Sequence, residues 1–326
     1  MCKKRRGSRA ISTCRRSDKS DKIFVAGYRG MVGSALMRRL EAEAFSNVVT
    51  RERAQLDLTD ESAVAKFFAE EKPDIVILAA AKVGGIKANN DCPVEFLVEN
   101  LRIQNNVIRS AYDNGVRKLL FLGSSCIYPK FAPQPIAESA LLTGPLEQTN
   151  EAYAIAKIAG IKLCQAFSCE YGANFISAMP TNLYGPNDNF DLETSHVLAA
   201  LLRKAHEAKM HNDQKLIVWG TGKPRREFLH VDDLASACLL LLEKYDSPEI
   251  INVGCGEDSS IRELAELICE VVGFDGELAW DTTKPDGTPR KLLDVSKIRA
   301  LGWKPAIPLR DGIKRTYNWF VANFAQ

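Results

Sequence analysis

Residues 123–130 read GSSCIYPK and follow LLFL, a run that reads as a buried strand. A strand ending in Ser124, Ser125 and Cys126 sets two hydroxyls and a thiol side by side. That is either a polar loop cap or chemistry. Tyr153 and Lys157 stand four residues apart in a stretch of helical pattern, so they share a helix face. A lysine ammonium beside a phenol lowers its pKa from about 10. Such a tyrosine exchanges protons nearer neutral pH and can protonate an alkoxide as hydride reaches carbon. A strand-end hydroxyl, Ser124 first, would hold the carbonyl oxygen while charge develops on it. By itself this one Tyr-x-x-x-Lys proves little, because a tyrosine packed under a lysine stem has the same spacing.

Carbonyl reduction has no need of Cys126. Further along, PTNLYGPND (180–188) leads to Ser195-His196-Val197, and His196 alone of four histidines follows that loop closely. A thiol and an imidazole facing one ketone could remove an alpha proton and return one from the opposite side. The hydroxyls that hold a carbonyl oxygen also stabilise the enolate. The plainer alternatives are a small buried hydrophobe for Cys126 and a surface imidazole at a helix start for His196.

These residues need a scaffold, and the chain supplies one from Asp21. Apolar runs at 22–27, 47–50, 74–80, 118–123 and 174–180 alternate with helical stretches at 31–44, 61–71, 93–114 and about 149–171. Near-continuous apolar strands between helices predict a parallel sheet covered on both faces, a doubly wound α/β (Rossmann) fold. After Pro180 the alternation loosens, with short strands at 216–220 and 250–254, and a smaller C-terminal substrate-binding lobe is expected over the carboxyl ends of the strands. The expected division is a basic tail over 1–20, a nucleotide-binding domain over 21–180 and mainly the second lobe over 181–326, with the chain crossing back. The 93–114 helix carries two apolar stripes, Val94, Leu97, Leu101 and Ile108 on one and Phe96, Ile103 and Val107 on the other. One can pack on the sheet; the second needs another helix or a second subunit.

The first turn reads Gly27-Tyr-Arg29-Gly30-Met31-Val32-Gly33. It follows a strand and opens a helix, the context in which glycines let a backbone approach a pyrophosphate at a helix N-terminus. The second strand ends Thr50-Arg51 rather than in an acid, and Arg29 lies inside the turn. Two guanidiniums suit a 2′-phosphate, which favours NADP over NAD. Asp57 would reach the adenine edge or cap the helix that follows.

The 326 residues are 46% hydrophobic with a formal net charge of +2, enough chain for a large core and no general pull towards nucleic acid or acidic membranes. No apolar run approaches a membrane span. Nine scattered cysteines show no zinc spacing, so no metal is expected. They read as reduced thiols of a cytoplasmic protein. The acid-free start MCKKRRGSRAISTCRRS reads as a basic tail or as an organelle import segment.

From about residue 21 the chain resembles the extended short-chain dehydrogenase/reductase family. GYRGMVGSA, AAKVGGI, GSSCIYP, PTNLYGPND, REFLHVDD and KPDGTPRKLLD, in that order, resemble the branch that forms GDP-L-fucose. The resemblance implies that GDP-4-keto-6-deoxy-D-mannose is epimerised at C3 and C5 and then reduced at C4 with NADPH. It implies Cys126 as base, His196 as acid, Tyr153 as proton donor in reduction, Ser124 on the oxygen, and Lys157 on the tyrosine and the nicotinamide ribose. Pro180, Asn182, Leu183 and His196 would line the cofactor. Lys204, Trp219, Arg226, Asp286 and Arg290 would meet the GDP-sugar, and two subunits would join through a four-helix bundle. The competing readings are another nucleotide-sugar epimerase or reductase of this family, and a non-catalytic NADP-binding protein with RNA affinity.

Overall fold

Residues 18–284 and 286–324 are described in a computed structural model, so residues 1–17 of the expected basic tail lie outside the described residues. The first half runs Ile23–Ala26 (β1), Met31–Ala42 (α1), Val48–Val49 (β2), Glu61–Glu71 (α2), Ile75–Leu78 (β3), Ile86–Asp91 (α3), Pro93–Asp113 (α4), Lys118–Leu122 (β4), Glu151–Tyr171 (α5) and Phe175–Pro180 (β5). The chain continues through Asn182–Tyr184 (β6), Val197–His211 (α6), Lys215–Trp219 (β7), Arg225–Arg226 (β8), Phe228–His230 (β9), Val231–Lys244 (α7) and Ile251–Val253 (β10). It closes with Ser259–Ser260 (β11), Ile261–Val272 (α8), Glu277–Asp281 (β12), Arg290–Lys291 (β13), Ser296–Ala300 (α9) and Leu309–Phe324 (α10).

The main sheet has the order β10-β5-β4-β3-β1-β2, all parallel. Its central strands are buried end to end, as expected of strands covered on both faces. Helices α4 and α5 pack together, and so do α1 and α7. The chain turns outward from β1 to β2 and then crosses to β3, which makes the carboxyl ends of β1 and β3 a topological switch point.

Two glycines fix the approach at that point. Gly27 has φ +88, and a Cβ there would lie 2.7 Å from the Ala80 nitrogen. A Cβ on Gly33 would lie 2.1 Å from the Gly27 carbonyl oxygen, so only glycine lets α1 start against the β1 turn. On the other side, Gly160 brings α5 onto β4: its Cβ would meet the Phe121 ring at 2.5 Å and Gln104 Oε1 at 2.7 Å. Gln104 Nε2 then donates to the Ala156 carbonyl at 2.7 Å and ties α4 to α5.

The second lobe has its own core, with Phe190, Leu202, Leu216, Leu264, Ile268 and Ile313 among its members. It is discontinuous. Segment 229–253 and residues 293–303 pack into the main core, so 181–326 is not one body. The crossing back begins at β9, where Leu229 and Val231 enter the main core directly after Phe228 of the second. On α4 the stripes divide differently from the sequence reading: Phe96, Val107 and Ile108 are buried together, while Val94 is 71% exposed and Val98 38%. Ile108 therefore belongs to the buried stripe.

Gly33→Ala should cost about 1–3 kcal/mol in urea unfolding, through overpacking against rigid backbone. Gly30, with φ −70 and nothing closer to its added Cβ than 3.6 Å, should tolerate alanine within about 0.5 kcal/mol. Equal losses at the two positions would contradict this account of the turn.

Candidate active site

Strand β4 runs out at Gly123, where a Cβ would lie 2.5 Å from the Met179 sulfur. Ser124 leaves the strand extended, and a single 3-10 turn over Ser125–Ile127 swings Cys126 outward. Ser124 Oγ accepts from the Cys126 backbone N–H at 3.2 Å and closes that turn. Two donors reach the thiol sulfur: Asn150 Nδ2 at 3.4 Å and Lys291 Nζ at 3.6 Å. Tyr153 is hydrogen-bonded to Ser124 and feels the charge of Cys126. The Lys291 ammonium also acts on the imidazole of His196. Thiol, phenol, hydroxyl and imidazole thus form one electrostatically connected group, built from the ends of β4, α5, α6 and β13.

The phenol differs from the sequence reading. Burial pushes the Tyr153 hydroxyl well above its ordinary value, the Cys126 charge pushes it further, and the Ser124 hydrogen bond opposes both. Lys157 does not lower it. The Lys157 ammonium lies under the rings, 5.8 Å from the Tyr153 centroid and 4.9 Å from that of Phe121. Its hydrogen bond goes to the Leu122 carbonyl at 2.9 Å. Being 4% exposed, it is itself pushed down to about 8 by burial.

His196 sits at the N-cap of α6 without using its side chain to cap it. The loop before it is fixed from the β3 side. Gly85 N–H donates to the Thr194 carbonyl at 2.7 Å, and a Cβ on Gly85 would strike the Ser195 carbonyl oxygen at 2.5 Å. The AAKVGGI segment therefore works as a bed for the histidine loop. His196 keeps an open edge, but protein around it, and then the Lys291 charge, hold its imidazole below the ordinary value.

At the glycine turn, Gly30 is exposed and α1 begins there without a side-chain cap, so backbone N–H groups face open space. Neither backbone strain nor packing demands glycine at position 30; what an alanine would obstruct is something arriving from outside. That fits a dinucleotide pyrophosphate. Met31 and Val32 pack against the main core. Arg29 is paired with Glu52, and Arg51 with Glu71 and the Thr50 carbonyl. Both guanidiniums flank the turn already held by carboxylates, of which the exposed Arg29–Glu52 pair is the easier to exchange for a phosphate. Asp57 accepts from Thr59 N and Oγ1 at 2.9 and 2.8 Å, so it closes the turn before α2, while Asp60 caps that helix. Pro180 ends β5 against Val253, Leu183 packs on the main core, and Asn182 Nδ2 donates to the Glu227 carbonyl at 2.8 Å.

In the second lobe, Trp219 is half exposed, with Lys204 Nζ 5.0 Å and Lys284 Nζ 5.3 Å from its ring centre. Burial holds Lys204 below the ordinary lysine value. Arg226 is electrostatically linked to Cys126 and is placed with the cluster. Asp286 bonds Thr221 N and Oγ1 at 2.7 and 2.8 Å, so its carboxylate shapes the turn beside Trp219. Arg290 faces the wrong way. Strand β13 pairs with β8 so that Arg290 stands opposite Arg225 and Lys291 opposite Arg226. Side chains alternate along a strand, and Arg290 joins Arg225 on Asp258, on the face away from the thiol. Its neighbour Lys291 takes the inward place.

Sequence reasoning missed Lys291, Asn150 and Glu227. Glu227 is fully buried; its carboxylate accepts from Gly256 N at 2.7 Å and Leu293 N at 3.0 Å, and its backbone N–H from Glu227 reaches the Lys291 carbonyl at 3.3 Å. Strand parity in RRE and PRK was the signal that separates Lys291 from Arg290. Nothing in the sequence marked Asn150.

A family model described as the NAD dependent epimerase/dehydratase family matches residues 23–254. The chain is similar to GDP-L-fucose synthase 1 of Arabidopsis thaliana, 64% identical over 94% of this chain and 95% of the relative. It is similar to GDP-L-fucose synthase of Escherichia coli strain K12, 54% identical over 93% of this chain and 97% of that one. Among solved structures it resembles a GDP-L-fucose synthetase from Naegleria fowleri bound to NADP, with a TM-score of 0.87 at 32% identity, covering 95% of this chain and 97% of that one.

Burial of Lys157 sets a pH dependence. A lysine whose folded pKa lies near 8 takes up its proton in the unfolded chain first as pH falls from about 10.5. Its contribution to stability therefore rises with pH from about 8 to 10.5 and is lost below. Subtracting the urea-unfolding profile of Lys157→Met from that of the ligand-free wild type should leave a positive slope confined to that window; a flat difference would contradict the burial argument.

Proposed function

The chain belongs to the NAD dependent epimerase/dehydratase family, and from that premise we infer that it is an NADPH-dependent epimerase-reductase that forms GDP-L-fucose. We propose GDP-4-keto-6-deoxy-D-mannose as the substrate, epimerised at C3 and C5 and then reduced at C4. The observation that carries this reading is the contact of Lys291 with Cys126 beside the Ser124–Tyr153 pair. A plain carbonyl reductase has no use for a hydrogen-bonded thiol at that place.

The residues divide the work as follows. Ser124 and the protonated Tyr153 donate hydrogen bonds to the C4 oxygen, and both epimerisation and reduction place negative charge on that atom. Cys126 takes the proton from the neighbouring carbon on one face. His196 returns one from the other. In the free protein the imidazole favours its neutral form, so its acid role begins when the anionic substrate offsets the Lys291 charge. NADPH, when bound, supplies the hydride for C4. Tyr153 then gives its proton to the C4 oxygen, and Lys157 and Asn182 shape the floor beside the cofactor. Arg226 and Lys291 neutralise the diphosphate from one face of the β8–β13 pair, while Lys204 and Trp219 hold the nucleotide end.

The open stripe of α4 is the basis for a further proposal, a homodimer. Val94 and Val98 lie exposed on α4, and Ile155 on α5 is 45% exposed. Two copies joined through these helices would cover that apolar surface in a four-helix bundle. Val98→Glu combined with Ile155→Glu should convert a dimer to a monomer in light scattering; a wild-type monomer at micromolar concentration would end the proposal.

Incubation with the 4-keto-6-deoxy sugar nucleotide in deuterated water is the test of the reaction. With NADPH the product should carry deuterium at C3 and C5. Cys126→Ser should lower that incorporation by about 10²-fold or more, in the range of a lost general base, and leave NADPH affinity near the wild-type value. Tyr153→Phe should depress reduction more than exchange. Reduction without deuterium incorporation would make the protein a simple 4-reductase.

A further inference from the structure

Asn150 occupies the N-cap of α5, a position at which an asparagine side chain ordinarily accepts a hydrogen bond from the first turn of the helix. Here it makes no such bond. Its Nδ2 instead donates to Cys126 Sγ at 3.4 Å. Its Oδ1 is shielded from solvent and has no hydrogen-bond partner. A buried amide oxygen without a partner is unusual and calls for an explanation. The oxygen belongs to a side chain already at the sulfur, beside the residue that begins the Tyr153-bearing helix.

We propose that Asn150 is a positioning and specificity-determining residue of the epimerisation step: its N–H holds the Cys126 sulfur on line, and its Oδ1 receives the hydroxyl of the sugar carbon being deprotonated. The inference rests on the reading of Cys126 as the base. In the step served, the sulfur–hydrogen bond forms as the carbon–hydrogen bond breaks, and that electron pair moves into the new carbon–carbon double bond while the carbonyl pair passes to the C4 oxygen. Nothing is oxidised or reduced. With Asn150 and Lys291 both donating to it, the sulfur is arranged as an acceptor. The two atoms of one amide, bonded to base and substrate together, set the distance between the sulfur and the carbon-bound proton. Of the two epimerised carbons, C3 carries a hydroxyl and C5 does not, so the oxygen is assigned to C3.

The test compares Asn150→Ala and Asn150→Ser with the wild type, reading deuterium incorporation at C3 and C5, NADPH affinity and the division of any loss between kcat and KM. Serine retains N-cap competence and is too short to reach the sulfur. Both variants should lose at least tenfold in the rate of exchange at saturating substrate and bind NADPH within about threefold of wild type. With a 3-deoxy substrate, which lacks the hydroxyl, the loss at C3 should shrink to the part due to the sulfur contact alone. Recovery of exchange in Asn150→Ser would reduce the residue to a helix cap and overturn the proposal. So would unchanged exchange in both variants, or an equal loss with and without the 3-hydroxyl. Absence of deuterium in the wild-type product would instead remove the thiol base itself, a different failure.

Discussion

The Lys291 ammonium, 3.6 Å from the Cys126 sulfur, is the contact on which the site depends. Cys126 comes from the end of β4 in the main sheet, and Lys291 from the two-residue strand β13 that pairs with β8. Their meeting fixes how the edge of one lobe sits against the carboxyl ends of the other's strands. The same charge acts on His196, so one ammonium links the proposed base and the proposed acid. A point charge suits this place better than a guanidinium fork, since three rotatable donors can serve a sulfur and an anionic substrate.

Glu227 holds that arrangement. It is a buried carboxyl with no salt-bridge partner among the described residues, and burial holds its pKa above the ordinary value. Backbone N–H groups of Gly256 and Leu293 satisfy it, while its own carbonyl accepts from Asn182 and Thr181. Four segments, the β5–β6 junction, the β8–β9 junction, the exit of β10 and the exit of β13, converge on this residue. Replacing such an acceptor strands buried donors, which is more expensive than losing a surface pair. The residue stands between Arg226, which is electrostatically linked to Cys126, and Phe228, which enters the second core.

The sheet was legible because its strands are apolar throughout, and β1, β3, β4 and β5 fall within the runs read from sequence. Helix α2 was legible to the residue, since Asp60 caps it and Lys72 ends it before Pro73. The short pieces β6, β8 and β13 were not, because two or three residues carry no period. That is why Arg290 was chosen over Lys291: adjacent basic residues are indistinguishable until pairing fixes which face each takes. The discontinuous second lobe was hidden for a related reason. Long-range return of a chain leaves no local mark, and only the apolar surface of α7 hints at it. Tyr153 and Lys157 share a face as their spacing requires, but spacing along a helix cannot say whether an ammonium lies beside a hydroxyl or beneath a ring.

That last distinction changes the chemistry. A phenol beside a lysine ammonium would be tuned towards the phenolate, the state that accepts a proton and suits alcohol oxidation. The Tyr153 phenol is held the other way, by burial and by the charge at Cys126, and stays protonated at neutral pH. A protonated phenol is the useful state for both halves of the proposed sequence. During enolisation it remains a donor to the C4 oxygen. On reduction the alkoxide formed there is far more basic than any phenolate, so a high phenol pKa does not obstruct transfer and protects the donor from loss beforehand. Ser124 opposes the shift and keeps the hydroxyl directed to the same point. Lys157, half-way to neutrality near pH 8 with a carbonyl and two ring faces around it, then serves as a buried prop for the tyrosine ring. Where the ammonium sits relative to the ring thus bears on which protonation state of the phenol the site favours.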